Sequence, residues 1–241
     1  MCFTIEVHLT RQAIENRFSV DASSLREFDF NYFYKAFQNP LIPVITQDEP
    51  DRVQLMQWGL IPSWVPDQEK ATRIRKGTYN ARAESLHEKP SFRGALRGGR
   101  CCVIAHGFFE WQHQGGRKIP WYIRLKSDAP FLFAGLCDQW VDRDTGELLR
   151  TFTIITTRAN PLLEKIHNSK KRMPVILPRE TETDWIRGEF GKHHVDQLML
   201  PFPEEQLHTH TVSGKISSPG ADPADPGIIE EYGQPGEGTL F

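Results

Sequence analysis

Apolar and polar residues alternate at the start of the chain, Phe3, Ile5 and Val7 against Thr4, Glu6 and His8. That period of two predicts a half-buried strand and puts Cys2 on the face opposite the apolar set, free to line a cleft. Thr10 stands where a helix N-cap belongs, ahead of Ala13, Ile14 and Phe18 at helical spacing. The regular pattern then dissolves into closely spaced aromatics (Phe28, Phe30, Tyr32, Phe33, Tyr34, Phe37). It resumes after Asn39-Pro40 as a strand over 42–45.

Further strands are predicted over 54–60, 101–105, 108–111, 121–125, 131–136 and 151–156, with helical pieces over 69–76 and after Ser91. Gly115-Gly116 and Asp144-Thr145-Gly146 read as hairpin turns between neighbouring strands. Asn160-Pro161 combines an N-cap with a proline at the first helical position, so a helix should run over 161–167. A buried strand over 174–177 and helices over 183–188 and 192–199 follow. From Ser217 the chain is rich in Pro, Gly and Asp, with little to pack, and an irregular wrap or disorder is expected. Hairpin connections without a regular βαβ alternation define an α+β fold with a mainly antiparallel sheet. The expected organisation is one compact domain, 1–216, and a tail, 217–241.

Composition narrows the function classes. No apolar run approaches the roughly 20 residues of a membrane span, and no basic stretch followed by an apolar one marks a secretory signal. The cysteines, Cys2, Cys101, Cys102 and Cys137, lack zinc-type pairs, and adjacent Cys101-Cys102 is poor disulfide geometry. A reducing, cytoplasmic protein is expected. The net charge of −2 hides an asymmetry. Positions 70–126 hold 13 Lys and Arg against Glu84, Glu88 and Glu110, whereas the stretch from Gly220 holds five acids and no base. Such a middle suits a groove for a phosphate backbone, or is a set of scattered solvated charges.

Candidate chemistry begins at Met1-Cys2. Removal of the methionine leaves Cys2 with an α-amine and a thiol on adjacent carbons, and that pair can close on an aldehyde as a five-membered thiazolidine. Free groups of these kinds titrate near pH ~8 and ~8.5, so both reach nucleophilic form in a cell. Along Asn80-Ala81-Arg82-Ala83-Glu84, an extended backbone would put an amide, a guanidinium and a carboxylate on one face; an ordinary loop with an ion pair is the alternative. Glu110 stands between Phe109 and Trp111, where desolvation would raise its pKa toward acid/base use, unless it faces solvent on an edge strand. His167 closes a helix beside Lys170-Lys171-Arg172; the helix dipole favours its imidazolium as a proton donor, or the ring merely stabilises the helix. His106 reads as structural. His193-His194 and His208-x-His210 lack carboxylate or cysteine company, so no metal is expected. Phosphate-loop, dinucleotide and G-x-S-x-G motifs are missing, and no cofactor is expected.

Taken together, Met1-Cys2, Trp58-Gly59-Leu60-Ile61-Pro62-Ser63-Trp64, Asn80-Ala81-Arg82-Ala83-Glu84, Gly107-Phe108-Phe109-Glu110-Trp111 and Arg172-Met173-Pro174-Val175-Ile176-Leu177 resemble the SRAP family, the SOS-response-associated peptidases, over roughly 1–216. The resemblance implies a barrel-like sheet core with short peripheral helices. It also implies protection of abasic sites in single-stranded DNA by a covalent thiazolidine at Cys2. Asn80 would hydrogen-bond at the crosslink, Glu110 would serve the amine and the sugar-ring opening as acid and base, and His167 would assist the Schiff base and its reversal. Arg82, Trp64 and Arg172 would grip DNA. The chain departs from the family by opening Cys2-Phe3-Thr4-Ile5 instead of Cys-Gly-Arg-Phe, and by extra residues between His167 and Arg172. Lys170 or Lys171 is then expected to supply the missing phosphate contact.

Three functions compete at this level. The leading one is covalent capture of abasic single-stranded DNA in the DNA damage response, by a monomer without membrane or metal partners that joins the nucleoid when bound. The second is a peptidase with Cys2 as N-terminal nucleophile, the α-amine being its base. The third is a module that holds single-stranded DNA without chemistry.

Overall fold

The computed structural model describes residues 2–188 and 191–233. Its strands are β1 (Thr4–Glu6), β2 (Tyr34–Lys35), β3 (Leu41–Thr46), β4 (Val53–Trp58), β5 (Asn80–Arg82), β6 (Arg100–Ala105), β7 (Gly107–Gln114), β8 (Arg117–Leu125), β9 (Phe131–Val141), β10 (Leu148–Arg158), β11 (Arg172–Pro174) and β12 (Leu207–Thr211). Short helices lie around them: α1 (Arg11–Phe18), α2 (Gln68–Arg75), α3 (Pro90–Arg93), α4 (Ala95–Gly98), α5 (Pro161–Ile166), α6 (Glu182–Arg187) and α7 (Lys192–Leu198).

Five strands close on themselves in the order β10-β4-β3-β6-β9, because β9 pairs β10 again, Cys137 opposite Phe152 and Gly135 opposite Ile154. The inward positions follow the strand period. Ile42 and Val44, Met56 and Trp58, Cys101 and Val103, Phe131 and Phe133, and Phe152 and Ile154 all join one buried cluster. The α+β class and barrel core expected above are thus present. The sheet is mainly antiparallel, but β10 runs parallel to β4 and to β5. Past Gly135, β9 leaves β10. The chain after β11 fills the gap, with Val175 N donating to Ile155 O and Leu177 N to Leu132 O. The strand expected over 174–177 is therefore mostly a backbone-bonded filler, with its ladder to β10 at 172–174 and a single bridge from Ile176 to Phe133.

A second sheet, β12-β8-β7-β1-β2, packs beside the barrel. Here β1 departs from the half-buried expectation, since Thr4, Ile5 and Glu6 are all buried. Glu6 is sequestered by hydrogen bonds from Tyr122 and His106 rather than by solvent. Strand β12, Leu-His-Thr-His-Thr, is hidden in the sequence because threonine, not an apolar residue, follows Leu207 on its inward face; it pairs β8 throughout. Residues 217–233 wrap this sheet. Tyr32 N bonds Pro223 O, Tyr232 N bonds Thr211 O, and Ile228 is buried with Phe109, Tyr122 and Ile216. The rest of the tail lies outside the described residues, as does Met1.

The helix signals are confirmed locally. Thr10 Oγ1 accepts from Ala13 N, and Asn160 Oδ1 from Leu163 N ahead of Pro161. Gly115 and Gly116 both take positive φ in the β7–β8 turn, as a tight hairpin requires. No helix among the described residues is long and apolar enough to cross a membrane.

Candidate active site

Four of the side chains singled out above converge from four elements. Parallel pairing with β10 puts Asn80 opposite Ile154, and Trp58 Nε1 anchors the preceding residue by donating to Tyr79 O at 2.8 Å. From there Asn80 Nδ2 donates to the carbonyl oxygen of Cys2 at 2.8 Å. Its Oδ1 is buried with no hydrogen-bond partner among the described residues. An amide oxygen left so costs roughly 1–3 kcal/mol unless a ligand supplies a donor.

Cys2 is fully buried in the barrel cluster, not lining an open cleft as its place in the alternation suggested. The reason is that β1 belongs to the second sheet where that sheet packs on the barrel, so Cys2 shares one buried cluster with Val103 and Ile154. The thiol contacts Thr4 O at 3.8 Å. Burial, reinforced by the charge of Glu110, pushes its pKa well above that of a free thiol. The expectation of a readily ionised thiol is thus overturned; the sulfur is held protonated.

Glu110 lies in the middle of β7, opposite Trp121, and is buried rather than on a solvent-facing edge. Desolvation raises its pKa to about 7. His167 caps the C-terminus of α5 and stands 3.9 Å from it, Nε2 to Oε2. Its Nδ1 lies 2.8 Å from the carbonyl oxygen of Arg172, which only accepts, so Nδ1 carries the hydrogen. Burial lowers the imidazole pKa to about 4. The helix dipole was expected to favour the imidazolium, but desolvation outweighs it. At neutral pH the ring presents a bare Nε2 toward Glu110, and the pair is not an ion pair.

The extra residues between His167 and Arg172 are absorbed in a turn. Lys170 N and Lys171 N bond His167 O, and Lys171 adopts φ 51°. Asn168 clamps that turn to β7, accepting from His113 N and donating to His113 O. Arg172 is thereby returned to within reach of His167. Its guanidinium makes a two-pronged contact to Glu84 at 2.7 and 3.0 Å and donates to Thr156 O. Glu84 itself sits in the single 3₁₀ turn after β5, so the three polar side chains of 80–84 do not share one strand face. The fork of Arg172, named above as a DNA contact, lies on Glu84. Lys171 is exposed, 3.7 Å from Glu164, and Arg82 is exposed at the end of β5. Trp64 is 53% exposed and lies apart from the four. It lines a cavity of about 910 Å³ with Met56, Arg93, Arg97 and Cys137, and none of Cys2, Asn80, Glu110 or His167 reaches that wall.

The basic middle is not one uniform groove. Arg100 is buried and bonds Trp185 O and Gly188 O, while Arg73, Lys70 and Arg124 pair with Glu69, Asp67 and Asp128. Sequence reasoning missed the carbonyls of Thr4 and Arg172, which no side-chain pattern signals, and the clamp by Asn168. No cluster of three or more metal-ligating side chains occurs among the described residues.

A barrel-cored α+β domain whose second residue is held by an asparagine amide beside a buried carboxylic acid is a narrowly defined class. The chain belongs to the SOS response associated peptidase (SRAP) family, which matches residues 1–219. It is 37% identical to the abasic site processing protein YoqW of Bacillus subtilis, covering 86% of this chain and 88% of that one. Identity to the abasic site processing protein HMCES of Xenopus tropicalis is 34%, over 71% of this chain and 56% of that protein. A crystal structure of a protein from Bacteroides thetaiotaomicron superposes with a TM-score of 0.90 at 38% identity, covering 96% of this chain and all of that one.

Proposed function

We propose that this protein processes abasic sites in single-stranded DNA by forming a covalent bond to them through Cys2. The relatives named for abasic site processing support the substrate, and one observation carries the chemistry. Cys2, the only residue of the site with both an amine and a thiol to offer, is fixed by Asn80 within the electrostatic reach of a carboxyl titrating near 7.

Once the methionine is removed, the α-amine of Cys2 adds to the C1′ aldehyde of the ring-opened sugar. Loss of water from the carbinolamine gives an imine; the thiol sulfur then adds to the imine carbon, and its proton passes to the nitrogen. The sum is aminothiol plus aldehyde giving thiazolidine plus water, with no oxidant or metal required. Glu110, balanced near neutrality, takes the proton from the ammonium and returns one to the departing hydroxyl. His167 stays neutral, and its unprotonated Nε2 facing Glu110 favours the protonated form of that carboxyl. Asn80 Oδ1 gains the donor it lacks from a hydroxyl of the opened sugar. The protonated thiol suits the order of events, because sulfur is not spent before the imine exists. Arg82 and Lys171, exposed beside the site, take phosphates, and Trp64 stacks a more distant base.

The test is a labelled single strand with one abasic site, run with the protein on a denaturing gel beside the intact mass of the protein. A shifted band that needs Cys2 and a missing methionine supports capture. The Cys2→Ser protein separates the peptidase alternative, since a hydroxyl can still cut a peptide bond but cannot close a thiazolidine. No band from correctly processed protein would sink the proposal.

A further inference from the structure

Beside Cys2 lies a group of rings that the chemistry above does not use. Phe3 follows Cys2 directly and stacks on Phe37 with centroids 4.8 Å apart. Both meet the edge of Tyr79, at 6.4 and 5.3 Å, and Tyr79 precedes the Asn80 that holds Cys2. The base of the cluster is rigid. Tyr79 OH donates to Asn39 Oδ1 at 3.0 Å, and Ala36 N donates to Phe3 O at 2.9 Å. Its top is open, because Phe37 is 64% exposed while Tyr79 is buried. A held aromatic face presented to water is costly unless something covers it.

What would cover it is indicated by Arg75. This arginine flanks the same Tyr79 ring: a Cβ built on Gly59 would meet Arg75 Cγ at 2.6 Å and Tyr79 Cε1 at 2.9 Å. The lack of a side chain at Gly59, with its φ of +108°, lets the guanidinium stem lie there. Arg75 bonds Gln57 Oε1 at 2.6 Å, and no carboxylate pairs with it among the described residues. Its Nε is buried with no partner among the described residues. Burial pulls its pKa down, the sign of a cation missing its counter-charge. An open aromatic face next to an uncompensated cation matches one chemistry, a base with its phosphate.

We propose that Phe37, backed by Phe3 and Tyr79, stacks the base flanking the abasic sugar while Arg75 takes that nucleotide's phosphate. The subsite rests on the proposed function and specifies how the strand is positioned over Cys2. Phe37 and Arg75 are positioning residues and take no part in bond making.

The experiment uses the full chain and a single strand carrying a tetrahydrofuran abasic analogue, which has no aldehyde and so forms no bond. 2-Aminopurine stands on one or the other side of it. Wild-type protein should quench the probe on one side only. Phe37→Ala should bind about ten-fold more weakly and lose that quenching; Phe37→Trp should restore both. Arg75→Gln should keep the quenching and reduce the slope of log affinity against log salt by about 0.7. With a true abasic strand at saturation, Phe37→Ala should still crosslink. If it binds and quenches like wild type while crosslinking proceeds, the subsite is wrong and the function stands. A wild-type protein that neither binds nor crosslinks removes both. Affinity lost in Phe37→Ala but not regained by Trp refutes stacking, and so does a dimer in light scattering that Phe37→Ala converts to monomer.

Discussion

The side-chain amide of Asn80 holds Cys2 not by its thiol but by its backbone, Nδ2 to the Cys2 carbonyl oxygen at 2.8 Å across 78 residues of sequence. That hydrogen bond uses neither the sulfur nor the nitrogen of Cys2 while fixing the residue between them. Removing the donor should therefore slow capture more than it weakens DNA binding. Asn80→Ala should lower the single-turnover crosslinking rate at saturating abasic strand by roughly ten-fold, with a loss of about 1 kcal/mol in stability. Asn80→Asp should be slower still, because a carboxylate both loses the hydrogen bond and sets negative oxygens against the Cys2 carbonyl oxygen. Quenched time courses with both variants check this, and an Asp variant as fast as wild type would refute it.

Glu110 makes the fold sensitive to pH in a direction opposite to that of a salt-bridged acid. Its folded pKa, about 7, lies above the ordinary carboxyl value of 4.5. The folded state binds this proton more tightly, so its contribution is complete below pH ~4.5 and is lost as pH rises through 7. The loss amounts to about 3 kcal/mol. Glu110→Gln should remove that slope, melting like wild type near pH 5 and higher than it at pH 8.5, while crosslinking falls for want of a proton carrier. Parallel melting curves across that range decide it.

Much of this was legible in the sequence because barrel interiors announce themselves. Val103, Phe133 and Ile154 each recur at a period of two within apolar strands, and Asn160-Pro161 and Gly115-Gly116 are local signals that tertiary structure seldom overrides. Asn80 and Glu110 could be singled out because polar residues interrupt those runs, and His167 because it closes a helix beside a basic cluster. The environment of Cys2 could not be read. Whether the polar face of β1 meets water depends on the second sheet, whose partners β7 and β2 lie some 30 to 100 residues away. The protonation of His167 is hidden for the same reason. A helix terminus is visible in sequence, whereas the burial that outweighs its dipole is not.

His167 should accordingly stay neutral well into acid. Its pKa of about 4 lies below the free value of 6.5, so its share of stability is present above pH ~6.5 and is lost as pH falls toward 4. Nitrogen-15 spectra of the imidazole at pH 7 should show hydrogen on Nδ1, bonded to Arg172 O, and none on Nε2. A ring that charges between pH 6 and 7 would contradict the assignment and return His167 to the role of a proton donor.

In the proposed chemistry Arg172 acts through its carbonyl on His167, and its side chain fixes where that backbone lies. The fork to Glu84 and the bond to Thr156 O, with the arginine side chain only 13% exposed, tie β11 to the turn after β5. Lysine keeps the charge but cannot match a planar two-pronged contact. Arg172→Lys should therefore cost about 1–2 kcal/mol and shift His167 relative to Glu110, slowing capture while leaving the salt dependence of DNA binding unchanged. Were Arg172 a phosphate contact instead, that salt slope would fall by about 0.7 in Arg172→Gln, and Glu84→Gln would leave the capture rate untouched. The double-mutant cycle of Arg172 with Glu84 distinguishes the two, since a coupled pair gives losses that do not add.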